Sequence, residues 1–276
     1  MKKWYAVIGD PIAQSMSPRM HDTWFRENGI DASYVPIHVK GEHLEEAVAS
    51  LKRLGCSGWN VTVPHKSAII PYLDRVDEEA RRMNAVNTVK VLEDGTLFGT
   101  NTDGRGFVHS LQENGATPQE VGNLLIIGAG GAAAGISFAL ASAGFGPIAI
   151  TNRTIEKAKQ MSDSLVGSAA LSLQDAEQDI SKFGLVVQTT SVGMNFAKSG
   201  IPLDPTGISE GAIVADIIYN PLQTEFLRHA REAGGMTMNG VGMFVHQGAL
   251  AFELWTGIYP DTKKMIQTIS TELGGK

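Results

Sequence analysis

The sequence predicts an α/β protein of two domains: an N-terminal mixed α/β substrate domain and a Rossmann-like dinucleotide-binding domain, with the C-terminal helices returning to the first domain. Three observations predict it. Strand and helix signals alternate along most of the chain. A glycine-rich turn, "GAGGA", stands between a β-branched run and an Ala-rich helix. The 276 residues are long for a single core. The expected ranges are 1–102, completed by 240–276, for the substrate-binding catalytic domain, and 103–239 for the nucleotide-binding domain.

Each element follows from its local pattern. "WYAVIG" is a strand, and "SPRMHDTWFREN" a helix with Ser17 as N-cap, Pro18 first and Gly29 as stop. "SYVPIHV" is a strand that Pro36 puts at a sheet edge. "HLEEAVASLKRLG" is a helix ended by Gly55, and "GWNVTVP" is the third strand. "VNTVKVLEDGTLFGTN" is a hairpin turning at Asp94-Gly95, and "TDGRGFVHSLQENG" is a linking helix. "NLLIIG", "PIAIT", "GLVVQTT" and "AIVADII" are continuous apolar strands, as parallel strands covered on both faces require. "TIEKAKQMSDSL" and "QTEFLRHAREAGG" are amphipathic helices. The tail from Gly240 is helical, with Met243, Leu250 and Leu254 in one stripe and Gln247 inside it.

Composition narrows the function. A formal net charge of -6 argues against a general nucleic-acid binder. The one cysteine, Cys56, cannot form an internal disulfide, no apolar run approaches a membrane span, and the N-terminus lacks the apolar core of a leader. A cytoplasmic protein is expected, a monomer or homodimer without nucleic-acid or membrane partners. The seven histidines show no metal-ligand spacing, so no metal site is expected, and no GxSxG elbow appears.

Two sites stand out. In "LLIIGAGGAAAG", Gly128, Gly130 and Ala133 give GxGxxA after a strand and before a helix. Glycine there allows a tight turn and lets backbone N–H groups approach a pyrophosphate at the helix N-terminus. At the end of the next strand an NAD site usually carries Asp or Glu. Here Asn152 and Arg153 stand instead, with Lys157 one turn on. Cations at a helix start oppose its dipole, so an anion is expected beside them, and the 2′-phosphate of NADP fits. The expected cofactor set is Gly128, Ala129, Gly130, Gly131, Ala132, Asn152, Arg153, Thr154 and Lys157, with Gly240.

The second site is polar. "NVTVPHK" places Asn60 and Thr62 on one strand face, with Lys66 just beyond. "NAVNT" supplies Asn87 and "GTNTDG" supplies Asp103. Any one of these serves equally well as a turn residue, and Asp103 as a helix cap; converging amides and hydroxyls suit a polyol ring. Ser15 and Ser17, two apart at a helix start, can hold a carboxylate, although Ser17 as a plain cap would leave only Ser15 to explain. His65 rivals Lys66 as general acid, but neighbours on an extended segment point apart.

In order along the chain, "SMSP", "NVTVPHK", "AVNT", "NTDG", "GAGGA", "NRT", "YNP" and "GVGMFVHQGALAFELWTG" resemble the shikimate dehydrogenase family over essentially the whole length. The resemblance implies reversible NADPH-dependent reduction of 3-dehydroshikimate to shikimate, in chorismate and aromatic amino-acid biosynthesis. It implies Lys66 and Asp103 as the catalytic pair, Ser15 and Ser17 with Tyr219 for the carboxylate, and Asn60, Thr62, Asn87, Asp103 and Gln247 for ring hydroxyls. Two departures stand out: Asn84 where the family commonly has glycine before "AVNT", and no arginine after the glycines of the phosphate turn. The alternatives are a quinate/shikimate dehydrogenase using NAD, which Arg153 disfavours, a non-catalytic sensor of shikimate-pathway compounds, which retention of Lys66 and Asp103 disfavours, and an NADP reductase for an unrelated small acid.

Overall fold

A computed structural model describes residues 2–194 and 200–274; residues 1, 195–199 and 275–276, which fall inside the expected domain ranges, lie outside the described residues. The chain divides into two compact units, Met1–Asp103 with Val245–Met265, and Gly104–Phe244 with Ile266–Lys276.

The first unit runs β1 (Lys3–Gly9), α1 (Ser17–Glu27), β2 (Ala32–His38), α2 (Leu44–Arg53), β3 (Gly58–Val61), β4 (Arg75–Val76), α3 (Glu78–Arg82), β5 (Thr88–Val91) and β6 (Leu97–Thr100). The strands form one sheet in the order β2-β1-β3-β5-β6-β4. β1 pairs parallel with β2 and β3, while β5 pairs antiparallel with both β3 and β6. Pro36 does lie on an edge strand, where its missing N–H breaks no inner ladder. α2 carries Glu45 and Glu46 in its first turn and Lys52 and Arg53 in its last, matching the helix dipole at both ends. Its apolar stripe, Leu44, Val48 and Leu51, packs with Trp59, Val61 and Val89 from the sheet.

Two expected boundaries move. Met16, not Ser17, occupies the cap of α1, and Ser17 is the first helical residue. The Ser15 hydroxyl accepts the Ser17 N–H at 3.3 Å, so capping falls to Ser15. β3 ends at Val61, short of Pro64, because the residue before a proline is restricted and the proline itself cannot donate. Thr62 still donates its N–H to the Ile8 carbonyl at 3.0 Å as a last rung. Asn84 has φ 51, and it follows the cap of α3. That is the left-handed position at a helix end, which asparagine tolerates best after glycine.

The second unit continues with α4 (Asp103–Glu113, its first residue in the first unit), α5 (Pro118–Val121), β7 (Leu124–Ile127), α6 (Gly131–Ser142), β8 (Ile148–Thr151), α7 (Ile155–Asp163), β9 (Ser168–Leu171), α8 (Leu173–Gln178), β10 (Leu185–Gln188), β11 (Ile213–Asp216), α9 (Glu225–Glu232) and β12 (Met236–Met238). Its sheet is wholly parallel in the order β12-β11-β10-β7-β8-β9. This is the doubly wound order, with the chain reversing direction across the sheet between β7 and β10. Alternate residues of β7 enter different cores. Leu124 and Ile126 pack with Ile136 and Leu140 of α6, and Leu125 and Ile127 with Ala176, Phe226 and Leu227 on the other side. The tail forms α10 (Val241–Thr256) and α11 (Thr262–Gly274), and the division between the units falls within both helices.

Candidate active site

The centre of the first unit's polar face is an ion pair. Lys66 Nζ donates to Asp103 Oδ2 at 2.7 Å, with the two side chains 23% and 11% exposed. Charges this withdrawn from water need each other and further hydrogen bonds. The backbone fixes both carriers. Val86 donates its N–H to the Lys66 carbonyl at 2.8 Å, and Asp103 donates its N–H to Asn101 Oδ1 at 2.9 Å. Asn101 Nδ2 in turn donates to the Ala85 carbonyl at 3.0 Å, so both arms are tied to the stretch before β5. His65 is 1% exposed, and its Nε2 donates to the Val39 carbonyl at 2.6 Å. That bond ties the loop carrying Lys66 to the end of β2.

Asn87 sits next to this pair. Its Nδ2 donates to Asp103 Oδ1 at 2.8 Å and Thr102 Oγ1 at 2.9 Å, with Gln247 Oε1 at 3.4 Å. Its Oδ1 accepts the Thr102 N–H at 2.8 Å. Gln247 of α10 is thus brought beside Asn87. Asn60 is deeper than expected. Its Oδ1 accepts from the Tyr34 hydroxyl at 2.6 Å, and its Nδ2 donates to the Asn87 carbonyl at 3.2 Å and Thr88 Oγ1 at 3.0 Å. Both amide hydrogens are engaged inside the protein. Thr62, partly exposed, packs its methyl over Gly9, where a Cβ would stand 2.4 Å away. Ser17 is 8% exposed, and its hydroxyl has no partner among the described residues.

In the second unit the turn after β7 is built from backbone. Gly128 has φ 119, and a Cβ on it would stand 2.4 Å from Thr189 Oγ1 after β10; only glycine fits. Gly130 and Gly131 differ. Neither has a positive φ, and a Cβ on either would meet no protein atom within 4 Å. The fold does not require glycine at these two positions. Gly130 caps α6 without a side chain, the first turn holds no acidic residue, and the first intrahelical bond runs from the Ala134 N–H. The N–H groups of Gly131, Ala132 and Ala133 thus stay available to an anion. Ala129, partly buried, packs on the α6 core.

After β8, Asn152 Nδ2 donates to the Thr154 carbonyl at 2.9 Å, shaping the turn, and Thr154 caps α7 without using its side chain. Arg153 and Lys157 are exposed and make no ion pair among the described residues. Gly240 is explained by packing: a Cβ there would lie 2.1 Å from the Ile217 carbonyl oxygen. Tyr219, also in this unit, stacks on Phe244 with ring centroids 4.8 Å apart, and burial raises its phenol pKa. Among the described residues no group of three or more His, Cys, Asp or Glu could hold a metal ion, and no helix is long and apolar enough to cross a membrane.

Comparison with known proteins shows which family the chain resembles. Residues 7–89 match the model of the shikimate dehydrogenase substrate binding domain, 112–199 that of shikimate / quinate 5-dehydrogenase, and 240–269 that of the shikimate 5'-dehydrogenase C-terminal domain. A shikimate dehydrogenase (NADP(+)) from Lysinibacillus sphaericus is 51% identical over 275 residues, covering 100% of each chain. The chain belongs to the shikimate dehydrogenase family. Among solved structures, shikimate 5-dehydrogenase from Thermus thermophilus in complex with NADP(H) and shikimate superposes with a TM-score of 0.90 at 36% identity, covering 98% of this chain and 99% of that one. Quinate dehydrogenase from Corynebacterium glutamicum in complex with NAD superposes at 0.89 with 29% identity, covering 97% and 98%. Shikimate and quinate dehydrogenases thus share this fold, and the choice between them rests on side chains.

Against that family background, sequence reading overlooked the partners behind the pair. Asn101 and Thr102 lie inside "GTNTDG" and Thr88 ends "AVNT", so position within a motif was the available signal. Tyr34 carried none. In the second unit Gln188, fully buried, donates to the Thr190 and Val192 carbonyls at 3.1 and 3.0 Å and also accepts the Thr190 N–H, fixing the loop that faces Gly128. Asp216 accepts the Ile218 N–H at 2.9 Å and the Thr224 hydroxyl at 2.7 Å. Burial raises its pKa to about 6 against both bonds.

Proposed function

We propose that this chain is an NADP-dependent shikimate dehydrogenase that reversibly reduces 3-dehydroshikimate to shikimate in the chorismate route to aromatic amino acids. The observation that carries the reading is the Lys66–Asp103 pair at 2.7 Å, with Asn87 and Gln247 beside it. The first unit is the substrate-binding catalytic domain and the second the NADP-binding domain. NADPH, when bound, supplies the hydride for the ketone carbon. The chain's own residues manage the charge. As the carbonyl oxygen gains charge, the Lys66 ammonium stabilises it and delivers a proton, leaving the alcohol. In the oxidation direction the proton returns from the hydroxyl to Lys66. Asp103 holds the ammonium in place and reads a ring hydroxyl, with Thr62, Asn87 and Gln247. Since both hydrogens of Asn60 and of Asn87 are engaged within the protein, Asn60 acts by shaping the site, and Asn87 would open to substrate through its long 3.4 Å contact to Gln247. Ser15 and Ser17 take the carboxylate, and the Ser17 hydroxyl, without a partner among the described residues, supports that role; a part for Tyr219 rests on the family resemblance alone.

The residues present fit NADP. Gly128, Ala129, Gly130, Gly131 and Ala132 would hold the pyrophosphate. Arg153 and Lys157, with Asn152 and Thr154, would take the 2′-phosphate, since both cations are exposed and make no ion pair among the described residues. Gly240 contributes only through backbone. The free, buried thiol of Cys56 suits a cytoplasmic location.

A second reading, quinate turnover with NAD, is kept because the Corynebacterium quinate dehydrogenase shares the fold. Steady-state assays with shikimate and quinate, each with NADP and NAD, separate the two. Shikimate with NADP should give the highest kcat/KM. A preference for quinate and NAD would assign the second reading, and no turnover of any pair would point to a sensor.

A further inference from the structure

The Lys66–Asp103 pair is the end of a hydrogen-bond chain that starts in the aromatic core of the first unit. The Tyr34 hydroxyl donates to Asn60 Oδ1 at 2.6 Å, Asn60 Nδ2 donates to Thr88 Oγ1 at 3.0 Å, and Thr88 Oγ1 donates to Asn87 Oδ1 at 2.9 Å. Asn87 Nδ2 then donates to Asp103 Oδ1 at 2.8 Å, and Asp103 Oδ2 accepts from Lys66 at 2.7 Å.

The two amides have one possible orientation, and the Thr88 hydroxyl can give its hydrogen to Asn87 Oδ1 at 2.9 Å or share it with Thr102 Oγ1 at 3.3 Å. The Asn87 amide is oriented by the Thr102 backbone N–H, which can only donate, so the carbonyl end of Asn87 must face Thr102 and its NH₂ end must face Asp103. The Asn60 amide is oriented by the Asn87 backbone carbonyl, which can only accept, so its oxygen is left for the Tyr34 hydroxyl. Thr88 receives a hydrogen from Asn60 and so has its own to give. Asn60 and Thr88 are direct cross-strand partners on β3 and β5, which sets their side chains on one face. Thr88 is 0% and Tyr34 2% exposed, so water does not compete for these bonds. Tyr34 stacks on His21 at 4.4 Å, which fixes the ring that starts the chain.

We propose that Thr88 is a positioning residue for the Lys66–Asp103 pair, and Tyr34 a more distant one, acting through this chain on the amide of Asn87. The inference rests on the catalytic reading of that pair given above. Thr88 adds a second donor to Asn87 Oδ1 beside the Thr102 N–H, which strengthens the orientation that points the NH₂ at Asp103, and successive donors polarise one another toward the carboxylate. With Asp103 Oδ1 held from behind, Oδ2 stays aligned with the ammonium.

The test compares Thr88→Val, which keeps the shape and removes the hydroxyl, with Thr88→Ser, which restores it. Loss of one well-placed hydrogen bond should lower kcat about tenfold in Thr88→Val, while the dissociation constant of shikimate stays within about threefold. Thr88→Ser should recover kcat to within about threefold of wild type. Tyr34→Phe keeps the stacked ring and removes the first donor, and should lower kcat about two- to threefold; it decides the matter alone if Thr88→Val does not fold. A wild-type kcat in Thr88→Val or in Tyr34→Phe would overturn the proposal. So would a Thr88→Ser enzyme as slow as Thr88→Val, since packing of the side chain, not the hydroxyl, would then be the cause. Wild type and Lys66→Ala measured in the same series report on the reaction and on the pair, so failure of the proposed function is told apart from failure of the chain.

Discussion

In the first unit the ion pair of Lys66 and Asp103 is held by side chains, and Asn87 alone bonds Thr88, Thr102 and Asp103. In the second unit the turn after β7 offers N–H groups from Gly131, Ala132 and Ala133 and almost no side chain at all. The difference teaches that two functional sites in one chain can fail in opposite ways. A site made of partnered side chains fails when a group is taken away, because the remaining buried polar atoms lose their partners. A site made of bare backbone fails when a group is added, because the ligand's place is filled.

The strongest way to break this comparison is at the carboxylate. Asp103→Asn keeps the shape but removes the charge that holds the Lys66 ammonium, and kcat should fall by roughly 10²–10⁴, the range of a positioned acid–base group. A loss below about threefold would mean that the pair is not catalytic.

Next is an addition to the bare turn. Gly130→Ala puts a Cβ where no protein atom lies within 4 Å. The melting temperature should stay at the wild-type value, while NADP affinity, read by titration, should fall about tenfold or more. Unchanged NADP affinity would remove the reason given for glycine at this position. Gly128→Ala, with φ 119 and Thr189 Oγ1 at 2.4 Å, should instead lower stability as well.

Arg153→Asp sharpens the comparison, since it alters a side chain in a cofactor site otherwise made mostly of backbone. Charge-assisted bonds are worth about 1.5–3 kcal/mol, so the NADP-over-NAD ratio of kcat/KM should drop by a factor on the order of ten to a hundred. An unchanged ratio would leave the 2′-phosphate reading of "NRT" without support.

The smallest effect is on stability, and its sign differs between the units. His21, buried in the first unit with neither ring nitrogen bonded, has its pKa lowered by burial to about 3 from 6.5. The unfolded chain then binds the extra proton, so stability should fall by about 1.4 kcal/mol per pH unit as pH drops below 6.5 toward 3. Asp216 in the second unit has its pKa raised to about 6 from 3.8. The folded chain holds that proton more tightly, so this contribution is present below pH 3.8 and is lost as pH rises to 6. Denaturant titrations against pH should show His21→Phe flattening the acid-side loss and Asp216→Asn gaining stability above pH 6. Parallel curves for wild type and His21→Phe would contradict the first assignment.

Much of this was legible in the sequence, and what was not has a common cause. The glycine turn was readable from its place between strand and helix, whereas Lys66 and Asp103 were singled out as a pair through the family that "NVTVPHK" and "NTDG" resemble. The inner strands were readable because both faces are buried, as in β7 and β10. β4, β9 and β12 escaped notice, and all three are sheet edges of two to four residues with no continuous apolar run. Tyr34 and Thr88 escaped for a different reason. Their role depends on which residue lies opposite across β3 and β5, and pairing register is not written in local pattern. Asn84 stood out as an odd residue in its motif, but only the backbone shows that it takes the left-handed position.

The most direct test of the central claim sets Lys66→Ala beside His65→Ala. Both are assayed for kcat with saturating NADP and for shikimate dissociation. The account predicts that Lys66→Ala loses roughly 10²–10⁴ in kcat while still binding shikimate, since its charge matters most when the oxygen becomes anionic. His65→Ala, which removes a buried anchor to Val39, should lower the melting temperature and leave kcat near wild type. A Lys66→Ala enzyme with near-wild-type kcat, or a His65→Ala enzyme carrying the large loss while still folded, would contradict it.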